Sequence, residues 1–428
     1  MKRLNALTFT CFVFIAGCMQ TDHSLEPDDA VHYYQFSLPQ DREAFAELLE
    51  LFKKEHPGIR IEIHSLPTAS DDQHQFYLTH AQEQGRSRID VMAVDVIWLA
   101  QFARAGLLMP VDTIFSSAEW DAFFASSVKA ATYQGQRFAV PFFVDGGLLY
   151  SRKDLLQKYG YKLPPQTWAE LIRMSRDILQ KENDPGLTGF VWQGKQYEGL
   201  ICNFLEYLPD EADPLVGDSG QSELNFDQVA VRKALALMAS LVHTHRVSPQ
   251  SVFSMSEEES RHVFQNGKAV FMRNWPYAWK LAQQEGSPVA GKIQASPLPA
   301  VEEGRRSHGT LGGFLLGINP KTPHPEAAEA WVRFLSSKPA QKIIWEMLGL
   351  TPARKTVFPQ LLPGGFPMDI LQSIMESTTP RPVTPLYTPL SQSIQAYISG
   401  ALVGVYSVDQ SIELIESDAR RIMRILNG

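Results

Sequence analysis

The sequence predicts an α/β fold with parallel strands and chain enough for two lobes, on three observations. An opening strand–helix–strand pattern occupies roughly residues 31–64, the arrangement that sets parallel strands side by side. A second apolar strand ends in Asp95 and runs into a helical segment. A chain of 428 residues exceeds what one small core needs and can support two substantial lobes.

Taken in order, residues 31–36 are a short, aromatic-rich strand. Phe45, Leu48, Leu49 and Phe52 then recur at i, i+3, i+4 and i+7, one face of a helix, which Pro57-Gly58 stops. Ile59, Ile61 and Ile63 alternate with Arg60, Glu62 and His64, the period-two signature of a strand. Residues 89–94 are apolar except for Asp90, as in a strand buried on both faces, and a helix over about 97–105 is closed by Gly106. Ligands of open α/β sheets collect beyond the carboxyl ends of strands, and Asp95 stands at such an end. A hairpin turns at Gln134-Gly135; its return strand covers 137–144 and leads through Asp145-Gly146-Gly147 into 148–150. Pro164-Pro165 precedes a helix from Trp168, a Gly/Asp/Ser loop covers 210–222, and helices follow to about Glu285. Residues 293–298 are extended, 325–348 form a long amphipathic helical pair, 377–390 a Pro/Thr-rich loop and 406–426 a closing helix.

Residues 1–17 have the character of an export signal: Lys2 and Arg3, then an apolar stretch too short to span a bilayer. It runs into Ile15-Ala16-Gly17-Cys18, and small residues before a cysteine resemble the lipobox of bacterial lipoproteins, which would make Cys18 the acylated first residue. An ordinary secretory signal with an incidental cysteine is the alternative. Residues 18–30 then form an acidic, polar tether. Of the remaining cysteines, Cys11 leaves with the signal. Cys202 is alone in an apolar run, the setting of a buried structural thiol. Loss of Lys2 and Arg3 takes the formal net charge from −8 to −10, and with no basic stripe a nucleic-acid partner is not expected.

The chain resembles the extracellular solute-binding proteins of bacterial carbohydrate ABC importers, most closely the trehalose/maltose-binding group. The resemblance is carried by Asp95-Val96-Ile97-Trp98 with Gly106-Leu107-Leu108-Met109-Pro110, by Asp145-Gly146-Gly147-Leu148-Leu149-Tyr150 with Arg152-Lys153-Asp154-Leu155-Leu156, and by Gly189-Phe190-Val191-Trp192-Gln193-Gly194-Lys195-Gln196-Tyr197-Glu198-Gly199-Leu200. Phe264-Gln265-Asn266-Gly267-Lys268-Ala269 with Asn274-Trp275-Pro276-Tyr277, and Leu311-Gly312-Gly313, complete it. It implies two α/β lobes joined by three crossing strands, with a sugar in the cleft between them. One lobe would take about 30–140 and 295–350, the other 141–294 and 351–428. The crossings would fall near Val140-Pro141, near 294–297 and near 350–352.

A sugar edge carries hydroxyls suited to carboxylates and to a guanidinium that grips two oxygens. Its faces carry C–H groups suited to flat rings. The resemblance implies sugar contacts at eight positions, each with a plain structural alternative. Asp95 would bind hydroxyls or merely cap the following helix; Asp145 would do the same or close a turn. Phe143 would offer a ring or sit in the core. Trp275, held out of helix by Pro276, would stack on the sugar or fill the interior. Glu257, one of three consecutive acids, would bind or open a solvated helix. Gly313 and Phe314 match a Gly-Trp pair in relatives, with phenylalanine keeping a stacking face and losing the indole N–H. Arg381 matches a hydroxyl-gripping arginine or is an exposed loop residue. Relatives place an acid after the first strand; Gln35 and Ser37 occupy that zone, Asp41 is the nearest acid, and no site residue is assigned there.

The expected mechanism is capture by closure of hinged lobes, followed by delivery to ABC permease subunits by a lipid-anchored monomer. No cofactor is expected, and no G-x-x-x-x-G-K-[ST] loop occurs. One rival is a lipid-anchored glycoside hydrolase, since carboxylates beside a sugar are its raw material. The other is a metal receptor, which the scattered histidines disfavour: the closest pair, His243 and His245, points apart on a helix.

Overall fold

In a computed structural model of the chain the described residues are 29–427, apart from 38–40, 68–69, 84–87, 210–226, 306, 361–365 and 367. The expected signal, Cys18, most of the tether and the 210–222 loop lie outside them. No helix among the described residues is long and apolar enough to cross a membrane. The strands are β1 (Ala30–Phe36), β2 (Arg60–Leu66), β3 (Val91–Asp95), β4 (Thr132–Tyr133), β5 (Gln136–Arg137), β6 (Val140–Gly146), β7 (Leu148–Arg152), β8 (Thr188–Val191), β9 (Ala269–Asn274), β10 (Ile293–Ser296) and β11 (Leu311–Ile318).

Two sheets make two lobes. The first has the order β2-β1-β3-β11-β6. β1 is parallel to both neighbours, with Tyr33 opposite Ile63 and Val91, as the opening pattern predicts. Alternation sends successive side chains to opposite faces. Tyr33 therefore meets Phe45 and Trp331 of the helices Asp41–Glu55 and Pro325–Leu335, while Tyr34 meets Phe76 of Ser70–His80 on the other side. Helices cover both faces, and apolar burial of this extent is the main stabilising term. The hairpin β4–β5 turns at Gln134 (φ 49°) and Gly135 (φ 77°), the left-handed pair that a two-residue hairpin needs.

The second sheet has the order β10-β7-β9-β8. Its helix Trp168–Glu182 starts where expected, because the Thr167 hydroxyl accepts the Glu170 N–H at 3.2 Å. Trp168 then stacks on Tyr207 with ring centroids 4.1 Å apart. The expectation of helices to about Glu285 is corrected: β9 is a central strand, buried throughout. A short apolar run carries no period that distinguishes strand from helix. The helix Tyr387–Leu402 likewise begins inside the stretch expected to be loop.

The second chain passage between lobes begins near the expected place, and the first and third differ from the expected ones. β6 belongs wholly to the first sheet and passes into β7 at Gly147; β10 belongs to the second, so the return lies between Ser296 and β11. Pro352 bridges Phe143 of the first sheet, so 350–352 stays with the first lobe. The third passage runs beside the second at 378–380, where Thr379 bridges Thr310. The Leu311 N–H donates to the Thr379 carbonyl at 2.8 Å, and the Thr379 N–H to that of Gly309 at 3.0 Å. These backbones touch: a Cβ on Gly309 would stand 2.9 Å from the Gly147 nitrogen, so glycine is required there by proximity.

A buried ion pair anchors the passages. Arg273 of β9 donates from Nε to Glu206 Oε2 at 2.8 Å, and the Thr310 N–H reaches Glu206 Oε1 at 3.2 Å. Both side chains are almost fully buried, and breaking such a pair strands a charge away from water. Arg273→Met is expected to lower unfolding free energy by about 3–5 kcal/mol, measured by urea denaturation; a loss below about 1 kcal/mol would contradict the role given to the pair.

Candidate functional site

Asp95 ends β3 and is buried. Its Oδ1 accepts the Ile97 N–H at 3.2 Å, and its Oδ2 accepts the Ser70 hydroxyl at 3.1 Å. The helix Leu99–Arg104 has Trp98 at its N-cap, so Asp95 shapes the preceding turn and does not cap that helix. Arg381 Nη2 approaches Asp95 Oδ1 at 3.4 Å. Burial raises the Asp95 pKa, Arg381 opposes that rise and the Glu198 charge adds to it.

Arg381 comes from the second lobe and is 6% exposed; it is no surface loop arginine. Its Nη1 donates to Glu198 Oε1 at 2.7 Å and its Nη2 to the Leu311 carbonyl at 3.4 Å. Its Nε is buried without a hydrogen-bond partner among the described residues. Glu198 also accepts from the Tyr387 hydroxyl at 2.6 Å and from Ser391. One guanidinium thus joins a carboxylate of the first lobe to one of the second. A neutral contact runs alongside, from the Thr388 hydroxyl to Gln101 Oε1 at 3.2 Å.

Glu198 was not singled out from the sequence, although it lies in one of the segments that carry the resemblance. It opens the helix Glu198–Leu205, where a carboxylate is favoured by the helix dipole. That local preference gives glutamate an ordinary reason to stand there, so the residue type alone carries no signal of the arginine it meets.

Trp275 follows β9 and is half-buried. The Arg273 guanidinium lies 3.9 Å from its ring centroid, a cation–π contact, and its indole N–H donates to Glu257 Oε1 at 3.2 Å. The ring edge reaches Gly312 of β11, where a Cβ would stand 3.2 Å from it. The three consecutive acids separate by role. Glu259 closes a capping box with Ser256, Glu258 pairs with Arg261, and Glu257 alone holds the indole.

Asp145 sits opposite Gly312 in register. Burial pushes its pKa up to about 8, against the lowering effects of the Thr351 hydroxyl and Arg273. Phe314 pairs with both Asp95 and Phe143 across its neighbouring strands. Phe143 and Phe314 stack at 5.5 Å, and Phe36 lies 4.4 Å from Phe314. Phe143 is only 3% exposed, the position of a core strand residue, whereas Phe314 keeps an intermediate exposure. Gly313 has φ 115°, and a Cβ there would stand 2.3 Å from the Phe143 carbonyl oxygen, so its part is backbone geometry. The eight residues form a connected group around the ends of β3, β6 and β11.

Acids, a guanidinium and rings facing one another across two lobes suit a small polar ligand with apolar faces. A family model described as bacterial extracellular solute-binding protein matches residues 37–342, well over half of the chain. A "Probable ABC transporter-binding protein" of Deinococcus radiodurans is 37% identical over 288 residues, 67% of each chain. The structure is similar to that of maltose-bound MalE3 of T. maritima, with TM-score 0.83 and 38% identity, covering 93% of this chain and 99% of that one. It shares its fold with a D-mannitol-bound solute-binding protein of Agrobacterium vitis, at TM-score 0.74, 20% identity and coverage of 93% and 99%. The chain belongs to the bacterial extracellular solute-binding protein family.

Proposed function

We propose that this chain is the receptor of a bacterial ABC importer, capturing a sugar of disaccharide size such as trehalose or maltose. The observation that carries the reading is Arg381, buried between Asp95 of one lobe and Glu198 of the other, with its Nε–H unpartnered among the described residues. A sugar hydroxyl is both donor and acceptor, so it can take that N–H and donate to either carboxylate. Trp275 and Phe314 supply ring faces, Phe143 backs Phe314, Gly313 holds β11 close to β6, and Glu257 fixes the indole. The 38% identical, maltose-bound relative supports a ligand of this size.

Contacts drawn from both lobes make the sugar bind the closed form better than the open one, which shifts the hinge toward closure. The closed receptor then presents the sugar to the permease. Export by the segment 1–17, a lipid anchor at Cys18 and action as a monomer complete the proposal. The rival glycosidase uses the same carboxylates, but the matched family is one of binding proteins, and the acids here are tied to a guanidinium or buried beside a threonine.

A thermal-shift screen of the chain against a sugar panel tests the reading, since a ligand that binds only the folded state raises Tm. Trehalose or maltose is expected to raise it, and Trp275→Ala to abolish the rise while the protein stays folded. A panel without any shift, or an unchanged shift in that variant, would contradict it. Prolonged incubation is expected to leave the sugar intact; monosaccharide released by the parent and not by Asp95→Asn would establish the hydrolase instead.

Asp145 gives a separate test. With its folded pKa raised to about 8, it keeps its proton at neutral pH and can donate to a hydroxyl. The stability linked to it is complete below the unfolded value of about 3.9 and is lost as pH rises toward 8. Asp145→Asn, which cannot ionise, is expected to retain sugar affinity within a few fold. It should also grow more stable relative to the parent between pH 4 and pH 8, as read from urea unfolding. A stability difference that stays flat across that range would contradict the assignment.

A further inference from the structure

The free edge of the first sheet gathers histidines that are remote from the cleft. β2 is the outermost strand, and its parallel register sets Glu62 opposite His32 and His64 opposite Tyr34. Period-two alternation therefore brings His32, Glu62 and His64 to one face, although His32 is far from the other two in sequence. Their ligating atoms all lie within 4.8 Å of one another. His32 Nδ1 is 2.9 Å from His64 Nε2 and 3.8 Å from Glu62 Oε2.

We propose that His32 Nδ1, His64 Nε2 and a Glu62 carboxylate oxygen bind a divalent transition-metal ion of the zinc type at this edge. Ligands about 2.0–2.1 Å from a tetrahedral ion stand roughly 3.3 Å apart, and the separations of 2.9 and 3.8 Å fall on either side of that value. Without metal one of the two facing nitrogens donates to the other; when both bind an ion, the donating imidazole carries its proton on its other ring nitrogen and stays neutral. Neutral imidazole and carboxylate are ligands that such an ion accepts, whereas magnesium prefers oxygen and water.

The ligands are held before any ion arrives. The His64 ring lies between those of His32 and Tyr34, with centroids 5.1 and 4.4 Å away and planes within 19° and 16°. Phe76 lies 5.5 Å beyond Tyr34. The His32 backbone is fixed by its N–H to Asp90 Oδ2 at 2.8 Å, and Asp90 is itself paired with Arg88. Arg60 lies 3.6 Å from Glu62 Oε1 and leaves Oε2 toward His32. Rigid strands and locked rotamers of this kind are what a metal site requires. The Glu62 side chain is 42% exposed, which gives an ion a path and leaves water for its remaining position. The bound ion would clip β1 to the edge strand. Phe36, where β1 meets the sugar site, lies four residues on, roughly 13 Å away, so the two sites are separable.

The test is calorimetric titration and thermal shift of the untagged chain with ZnCl2, with MgCl2 as the hard-ion control. One Zn2+ per chain is expected, with a rise in Tm that Mg2+ does not produce. His64→Gln should abolish the binding, and Glu62→Gln, at a half-exposed position, should weaken it at least tenfold. Both variants should keep the parent's circular dichroism and its response to the sugar panel. Absent Zn2+ binding, an equal response to Mg2+, or binding that either variant leaves unchanged overturns the proposal.

Discussion

A guanidinium removed from water between two carboxylates is the constraint on which the rest of this structure depends. Arg381 is buried, and an unpaired charge there would cost several kcal/mol. Its two acids come from different lobes, Asp95 from the end of β3 and Glu198 from the start of a helix. The interaction therefore exists only when the lobes are together. Its strength is held below that of a sealed pair: the Asp95 contact is 3.4 Å against 2.7 Å to Glu198, and Nε makes no bond among the described residues. An arrangement with one spare donor and an imperfect inter-lobe contact is one that a polyhydroxyl ligand can enter and complete.

A second guanidinium ties that site to the passages between lobes. Arg273 is paired with Glu206, which also accepts the Thr310 N–H of the second passage. The same guanidinium lies under the Trp275 ring. The ring edge in turn rests against Gly312, directly opposite Asp145 on β6. Aromatic platform, buried acid and crossing backbones therefore share one packed unit. Close-packed units move between discrete arrangements and do not deform continuously, as the proposed opening and closing of the lobes requires.

How much of this the sequence discloses varies with the kind of interaction. The β1–helix–β2 unit, the turn at Gln134-Gly135 and the start of the helix at Trp168 were legible, because each rests on local periodicity, positive φ or a cap. β9 was not, since Ala269–Asn274 is a short apolar run whose type is decided by its neighbours in the sheet. The passages at Gly147, at 297–310 and at 378–380 depend on sheet membership, and proline or glycine near 140 and 350 pointed to the wrong residues. Motif resemblance pointed to Asp95, Trp275 and Arg381 as site candidates, and the fold brings Asp95 and Arg381 within 3.4 Å of each other. Glu198 was missed because its partner stands 183 residues away. Phe143, expected to offer a ring, is buried behind Phe314, a distinction that only the cross-strand stack reveals.

The most direct measurement is a crystal structure of the chain grown with maltose or trehalose. One sugar is expected between the lobes, with a hydroxyl within hydrogen-bonding distance of Arg381 and of Asp95 or Glu198, and a pyranose face on Trp275 or Phe314. A disaccharide bound with none of these side chains in contact, or density for it only on an outer face of either lobe, would contradict the account at its centre.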